Sequence, residues 1–374
     1  MKRFFKWLGV AVALPFVVVA LLVVLVYLPP VQDYAVRKVA AYASEQTGMR
    51  IAVERLRLTP LLDLDVRGVS VADSIGDTLV AAQRVVVDLN LSDILDRRIG
   101  VNGLRLDEVQ LDTKDMITST LVRGRLQRLT LTDDISLLSH HVAVEDLSAC
   151  GVDVEVALRD TTVIDTTESK PLEWTFAVAR ATISDARVRL LQEHRDSVVA
   201  MAVLLDMDSL GLQADSLHLD LGKEHLRVPR ARLQTAHSKL DAWADMDFNA
   251  FTPGRNGHFD GGIATILTKA DILRLAGDML PAGFDRAYPN SPLHVRLHAS
   301  GNIDHLALTR VEAILPGSLY ADARGDMAHL LDSGALAGVV DFNIKTEDLN
   351  WVRGMAGGAL DGILLPPMQL NGKA

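Results

Sequence analysis

The chain has 374 residues, a formal net charge of −10 and a single cysteine, Cys150. Those three facts argue against a binder of nucleic-acid phosphates, which needs Lys and Arg stripes, and exclude an internal disulfide framework and a cysteine-based zinc site. Hydrophobic residues make up 49% of the chain and aromatics only 5%, so the apolar content is mostly Val, Leu, Ala and Ile, which suits strands and a membrane span better than a ring-lined pocket.

The chain opens with MKRFFKW, carrying Lys2, Arg3 and Lys6, and no further charge appears before Asp33. Between them LGVAVALPFVVVALLVVLVYL (8–28) provides 21 apolar residues, close to the ~20 that cross a ~30 Å hydrocarbon core. Trp7 and Tyr27 stand where interfacial aromatics belong, Leu8 and Leu22 lie in the apolar run, and Pro15 is tolerated in a membrane helix. A cleaved signal peptide would have an apolar region of ~7–15 residues followed by small residues. This stretch is longer and ends in Tyr-Leu-Pro-Pro, so residues 1–30 are assigned as a cytoplasmic tip and uncleaved transmembrane anchor, with the bulk of the chain on the far side.

Residues 31–48 follow as a juxtamembrane helix, read equally as packed on the domain behind it or as lying on the membrane surface: Val31, Tyr34, Ala35, Val39, Tyr42 and Ala43 recur at helical spacing, and Gly48 is a good stop. From RIAVERLRL onward the pattern is alternation. Ile51 and Val53 share parity, as do Val85, Val87 and Leu89 in RVVVDLNLSDIL (84–95). GLRLDEVQLD (103–112) pairs Leu104 with Leu106, then Val109 with Leu111; VDVEVALRD (152–160) places Val152, Val154 and Val156 on one face, with Asp153 and Glu155 on the other. Alternation of this kind means a sheet with one dry and one wet face. Turn residues recur about every ten positions, as in hairpin-connected antiparallel sheets.

The strands continue for too long to close as one sandwich or barrel of about 100–250 residues. The expected fold is therefore mainly β: the transmembrane helix, then an elongated, curved antiparallel groove with a few short amphipathic helices. Its first segment spans 49–160, TTVIDTTESKPL (161–172) reads as a loop, and a second segment spans 173–374 with a helix at 270–280. The unit of Val85 to Leu89 recurs at Ile263, Thr265, Leu267 and at Val340, Phe342, Ile344. Each set leads to an Asp (Asp93, Asp271, Asp348) followed by Ile or Leu, and an Asp there is expected to cap a short helix.

Catalytic signatures are missing: there is no Gly-x-Ser-x-Gly, no Walker A loop and no His-Glu-x-x-His. His294 and His298 share parity, but same-face strand residues four apart are separated by about 13 Å, too far for one ion. No enzyme activity, metal or cofactor is expected.

Taken together these pieces resemble the AsmA-like superfamily, in particular the amino-terminal region of TamB-type proteins. The likeness is carried by the span, by QTGMRIAVERLRLTP (46–60), by VRGVSVADSIGDTLVAAQRVVVDLNLSDILDRRIGVNGLRLDEVQLDT (66–113), and by SPLHVRLHASGNIDHLALTRVEAILPGSLYADARGDM (291–327) with its Gly301-Asn302 turn and Gly325-Asp326. The resemblance implies a taco-shaped β-groove rooted in the bacterial inner membrane and projecting into the periplasm, its trough carrying phospholipid acyl chains toward the outer membrane. It also implies an alternative, a scaffold for outer-membrane protein assembly beside a β-barrel partner. Members of that group are usually longer and carry a distinct carboxy-terminal domain, whereas LLPPMQLNGKA resembles the start of another unit, so a short relative or a fragment is expected. The candidate groove lining is Ile51, Val53, Val85, Val87, Leu89, Leu104, Leu106, Val152, Val154, Val156, Ile263, Leu267, Val340, Phe342 and Ile344.

Overall fold

The computed structural model describes residues 27–59, 63–73, 75–90, 100–114, 120–136, 141–158, 173–193, 201–252, 254–276, 280–329, 336–355, 363 and 365–373. Trp7, Leu8, Pro15 and Leu22, Asp93 with the stretch after it, and the loop at 161–172 lie outside them. Tyr27 is half-buried at the turn before the first helix.

Helix α1 (Pro29–Thr47) starts where the sequence predicts, with proline at its first positions and Gly48 in the left-handed conformation donating its N–H to the Ser44 carbonyl. One face packs on the first strand, burying Gln32 and Val36. Ser44 Oγ accepts the Ile51 N–H at 2.9 Å and Asp33 pairs with Arg57 at 2.6 Å, so helix and strand are joined at both ends.

Sixteen strands follow in one open, curved sheet, each beside its sequence neighbours. They are β1 (Arg50–Leu58), β2 (Asp63–Ala72), β3 (Thr78–Leu89), β4 (Gly100–Asp112), β5 (Thr120–Ser136), β6 (His141–Leu158), β7 (Thr175–Glu193) and β8 (Met201–Asp220). Then come β9 (His225–Gln234), β10 (Lys239–Asp247), β11 (Phe259–Leu267), β12 (Leu293–Gly301), β13 (His305–Leu315), β14 (Leu319–Ala328), β15 (Ala337–Thr346) and β16 (Met368–Lys373). At ~4.8 Å per strand spacing, the sheet runs about 72 Å across its ladder. The expectation of an antiparallel sheet needs one correction: β6 and β7 pair in parallel, from His141↔Thr175 to Leu158↔Gln192. A tight hairpin cannot join parallel neighbours, and here residues 159–174 separate the two strands. The two groove segments therefore meet inside one sheet.

Among the described residues three short α-helices sit near the far end: α2 (Lys269–Ala276), α3 (Phe284–Ala287) and α4 (Asn350–Met355). The helix expected at 270–280 is described to Ala276. Asp348 Oδ1 accepts the N–H of Asn350 at 2.8 Å, the capping role expected of it. Asp271 does something else. It is fully buried, and its Oδ2 accepts from Thr235 Oγ1 in the β9–β10 turn rather than from helix N–H groups.

The long strands keep their apolar residues on one side by resetting the alternation. Glu54 faces Gly68, and the same level continues through Gln83, Glu108, Gln127, Gly151 and Asp185 on β3 to β7. Gly68, Glu108, Gly151 and Asp185 have φ of 61°, 51°, 62° and 54°. A left-handed residue within a strand acts as a bulge does, so its two neighbours no longer share a face. A second row passes through Glu145, Ala179 and Ser216, the last with φ 56°. The packing demonstrates the reset: Ile183 lies in one cluster with Ala186, and Val144 and Val178 in another with Leu147 and Ala181.

Candidate functional site: a continuous apolar sheet face

With both resets in place, apolar residues stand opposite apolar residues from the first strand to the last. One ladder runs Val53–Val69–Ala82–Val109–Leu126–Val152–Ala186–Leu210. Its continuation from β8 runs Leu212–Leu233–Leu240–Thr265–Val295–Ala313–Ala321–Ile344–Leu370. Thr265 is the polar exception, and its hydroxyl is spent on the Lys239 carbonyl at 2.9 Å.

All fifteen residues expected to line a groove fall on this face. Val85 faces Leu106, Val87 faces Leu104, and Leu89 faces Val101; Ile51 faces Val71. Val152, Val154 and Val156 face Ala186, Val188 and Leu190, while Ile263 and Leu267 face Leu297 and Leu293. Val340, Phe342 and Ile344 face Gly325, Ala323 and Ala321. Each of the fifteen is half-buried, neither sealed in a core nor standing free in solvent. Among the described residues the only large side chains that are fully buried are Leu315 and Asp271. The apolar face is thus not closed by a second layer along most of its length.

Closure occurs at one place. Phe284 and Tyr288 stack at 4.5 Å, Trp351 meets Tyr288 edge-on at 5.5 Å, and both helical segments pack over Leu315. Trp351 Nε1 donates to Ser318 Oγ at 2.6 Å, pinning α4 to the β13–β14 turn. Desolvation raises the Tyr288 hydroxyl above its ordinary pKa.

Between β9 and β13 the apolar face deepens into a cavity of about 610 Å³. Its floor is small, with Ala231, Ala242, Ala244, Gly261 and Ala299, and Phe251 and Phe259 stand at its wall with ring centres 5.6 Å apart. Sequence reasoning missed this feature. The signal was available as a run of Ala and Gly at apolar-face positions, but only the register shows that they are neighbours.

The opposite face carries a lattice of ion pairs. Asp65 bonds Arg84 at 3.0 Å and Arg67 at 3.3 Å; Asp107 lies between Arg105 and Arg128 at 3.0 and 2.9 Å. Glu155 joins Arg123 and Arg189, Asp206 joins Arg187, and Glu312 joins Arg296 and Arg310. Partial burial disfavours the ionised forms of Asp65, Asp107 and Glu312, but the guanidinium hydrogen bonds outweigh it and hold all three below the usual carboxylate range. His298, one of the two same-parity histidines, bonds Asp260 at 2.9 Å and tilts against Trp243. The wet face thus carries many paired charges, while the apolar face offers a ligand hydrocarbon contact.

The chain matches no protein-family model and no curated protein. Among the described residues no helix is long and apolar enough to cross a membrane, and the stretch expected to do so, save its last two residues, lies outside them.

Proposed function

We propose that the protein is a bridge-like lipid-transfer protein, anchored in the bacterial inner membrane by residues 8–28, whose periplasmic sheet carries phospholipid acyl chains toward the outer membrane. The observation that supports this reading is the apolar face running across the sixteen described strands, half-buried and without a covering layer along most of its length. An uncovered aliphatic surface of that length is an aggregation hazard in water unless something occupies it. An acyl chain gains about 0.8 kcal/mol per buried CH₂, so a ~16-carbon tail gains on the order of 10 kcal/mol before ordering costs. Successive positions are mostly Val, Leu, Ala and Ile, and the polar exception on the ladder, Thr265, spends its hydroxyl on the Lys239 carbonyl, so neighbouring sites are close in energy and the tail slides. The headgroup stays in water at the open side.

The experiment is a comparison of phospholipid retained per chain by the wild type and by Val87→Asp and Val154→Asp. The reading expects the substituted, still folded proteins to retain less. Equal retention rejects it.

A second reading, a scaffold for outer-membrane β-barrel assembly, draws on β16. That strand pairs with β15 alone among the described residues, and an unpaired edge can accept a strand from a partner barrel. Capture of a barrel protein that is abolished by proline in β16, with no lipid on the apolar face, favours that reading over the first.

A further inference from the structure

Helix α1 has two apolar sides, and the sheet uses only one of them. Gln32 and Val36 are buried toward β1. On the other side Tyr34, Val39 and Tyr42 are 59%, 67% and 64% exposed. At about 100° per residue, these three and Ala35 fall within one arc of about 140°. A helix face turned to water normally carries charge. Here the charge is sparse and mostly basic: Lys38, over the Tyr34 ring at 6.0 Å, lies within the arc and Arg37 borders it, while Asp33 is already paired with Arg57. Glu45, at the far end, is the acid on this side.

The position of the helix narrows the partner. The 21-residue apolar stretch 8–28 ends at its first turn. Leu28 has φ −72° and ψ 126°, an extended conformation, so α1 starts afresh after it. A helix that begins at the end of a membrane span, turns, and shows tyrosines flanked by Lys and Arg has the composition of the headgroup zone, where Tyr rings sit and cationic side chains reach phosphates.

We propose that the exposed face of α1 docks on an anionic phospholipid surface, so that the helix is sandwiched between the bilayer and β1 and sets the first strand of the apolar face against the lipid. This deepens the lipid-transfer reading and rests on its assignment of 8–28 as an anchor.

The test uses the full chain with Cys150→Ser, carrying a nitroxide at Val39→Cys, Tyr42→Cys or, as the aqueous reference on the wet face, Gln213→Cys, in vesicles of phosphatidylethanolamine and phosphatidylglycerol. Flotation is read first. The proposal expects the protein to float with the vesicles, the labels at 39 and 42 to lose access to an aqueous nickel chelate while gaining collisions with oxygen, and position 213 to show the reverse. Arg37→Glu with Lys38→Glu is expected to restore nickel access at 42. Floating protein whose labels at 39 and 42 match 213 overturns the docking face and leaves the anchor standing; spin–spin broadening at 39 and 42, which marks a second copy, also overturns it. Protein that does not float overturns both.

Discussion

Gln127 of β5 lies folded across Gly151 of β6: a Cβ built on that glycine would stand 2.4 Å from the Gln127 Cδ. Glu54 covers Gly68 in the same manner, with its Cδ 2.3 Å from such a Cβ. These two contacts mark the row at which the alternation resets, and the continuity of the apolar face depends on that row.

Gly151→Ala is therefore expected to cost about 1–3 kcal/mol, from its φ of 62° and from the clash with Gln127. Adding Gln127→Ala recovers the steric part and leaves the backbone part. Glu108→Gly on the same row is expected to change stability by less than about 1 kcal/mol, because glycine relieves the left-handed backbone while loosening the unfolded chain. Urea denaturation of the three variants separates these effects.

The buried carboxylate gives a second prediction. Thr235 Oγ1 donates to Asp271 and accepts N–H bonds from His237 and Ser238 at 3.1 and 2.8 Å. Thr235→Val strands all three partners and is expected to lose about 2–3 kcal/mol, whereas Asp271→Asn keeps an acceptor for the hydroxyl and is expected to lose about 1 kcal/mol or less. Thermal unfolding midpoints in that order support the network; the reverse order contradicts it.

The ion-pair lattice sets the acid limit. Asp65, Asp107 and Glu312 ionise below their ordinary range when folded, so the unfolded chain takes up protons first as pH falls. Their contribution is complete above the unfolded carboxylate pKa of about 4 and is lost as pH drops through the lower folded values. Their arginine partners are largely exposed, which keeps each contribution small. Denaturation midpoints are expected to stay level from about pH 5 to 7 and to fall below about pH 4. A main loss between pH 5 and 7 contradicts this assignment.

Filling the cavity distinguishes packing from binding. Ala242→Leu adds volume to a floor that faces open space, so it is expected to leave the unfolding midpoint nearly unchanged. It is also expected to weaken capture of a fluorescent fatty acid. A large loss of stability with unchanged capture places the cavity outside the ligand's path.

Much of the fold was legible before any coordinates. The alternation in Val85–Leu89, Leu104–Leu106 and Val152–Val156 identified strands and the side that would stay apolar, because period 2 needs only local sequence. The break in GLRLDEVQLD, where Leu104 and Leu106 give way to Val109 and Leu111, was visible too. Its meaning was not: a left-handed Glu108 is a backbone state that composition does not announce, and its alignment with Gly68 and Gly151 exists only once the register is known. The parallel β6–β7 pair was hidden for the same reason, since two long alternating strands with sixteen residues between them, 159–174, read alike in either direction. Asp271 shows the limit of a local rule. Beside a helix start it looks like a cap, but a turn 36 residues earlier supplies its hydrogen bond.

The central claim concerns one face of one sheet, and adjacent residues on a strand report on opposite faces. The most direct measurement places a photoreactive amino acid in turn at Val85, Val154, Ile263 and Phe342, and at their neighbours Arg84, Asp153, Ala264 and Asn343, in living cells. Phospholipid adducts at the first four positions and none at the second four are the predicted result. Adducts without regard to parity, or none at any of the eight, contradict the lipid-carrying account.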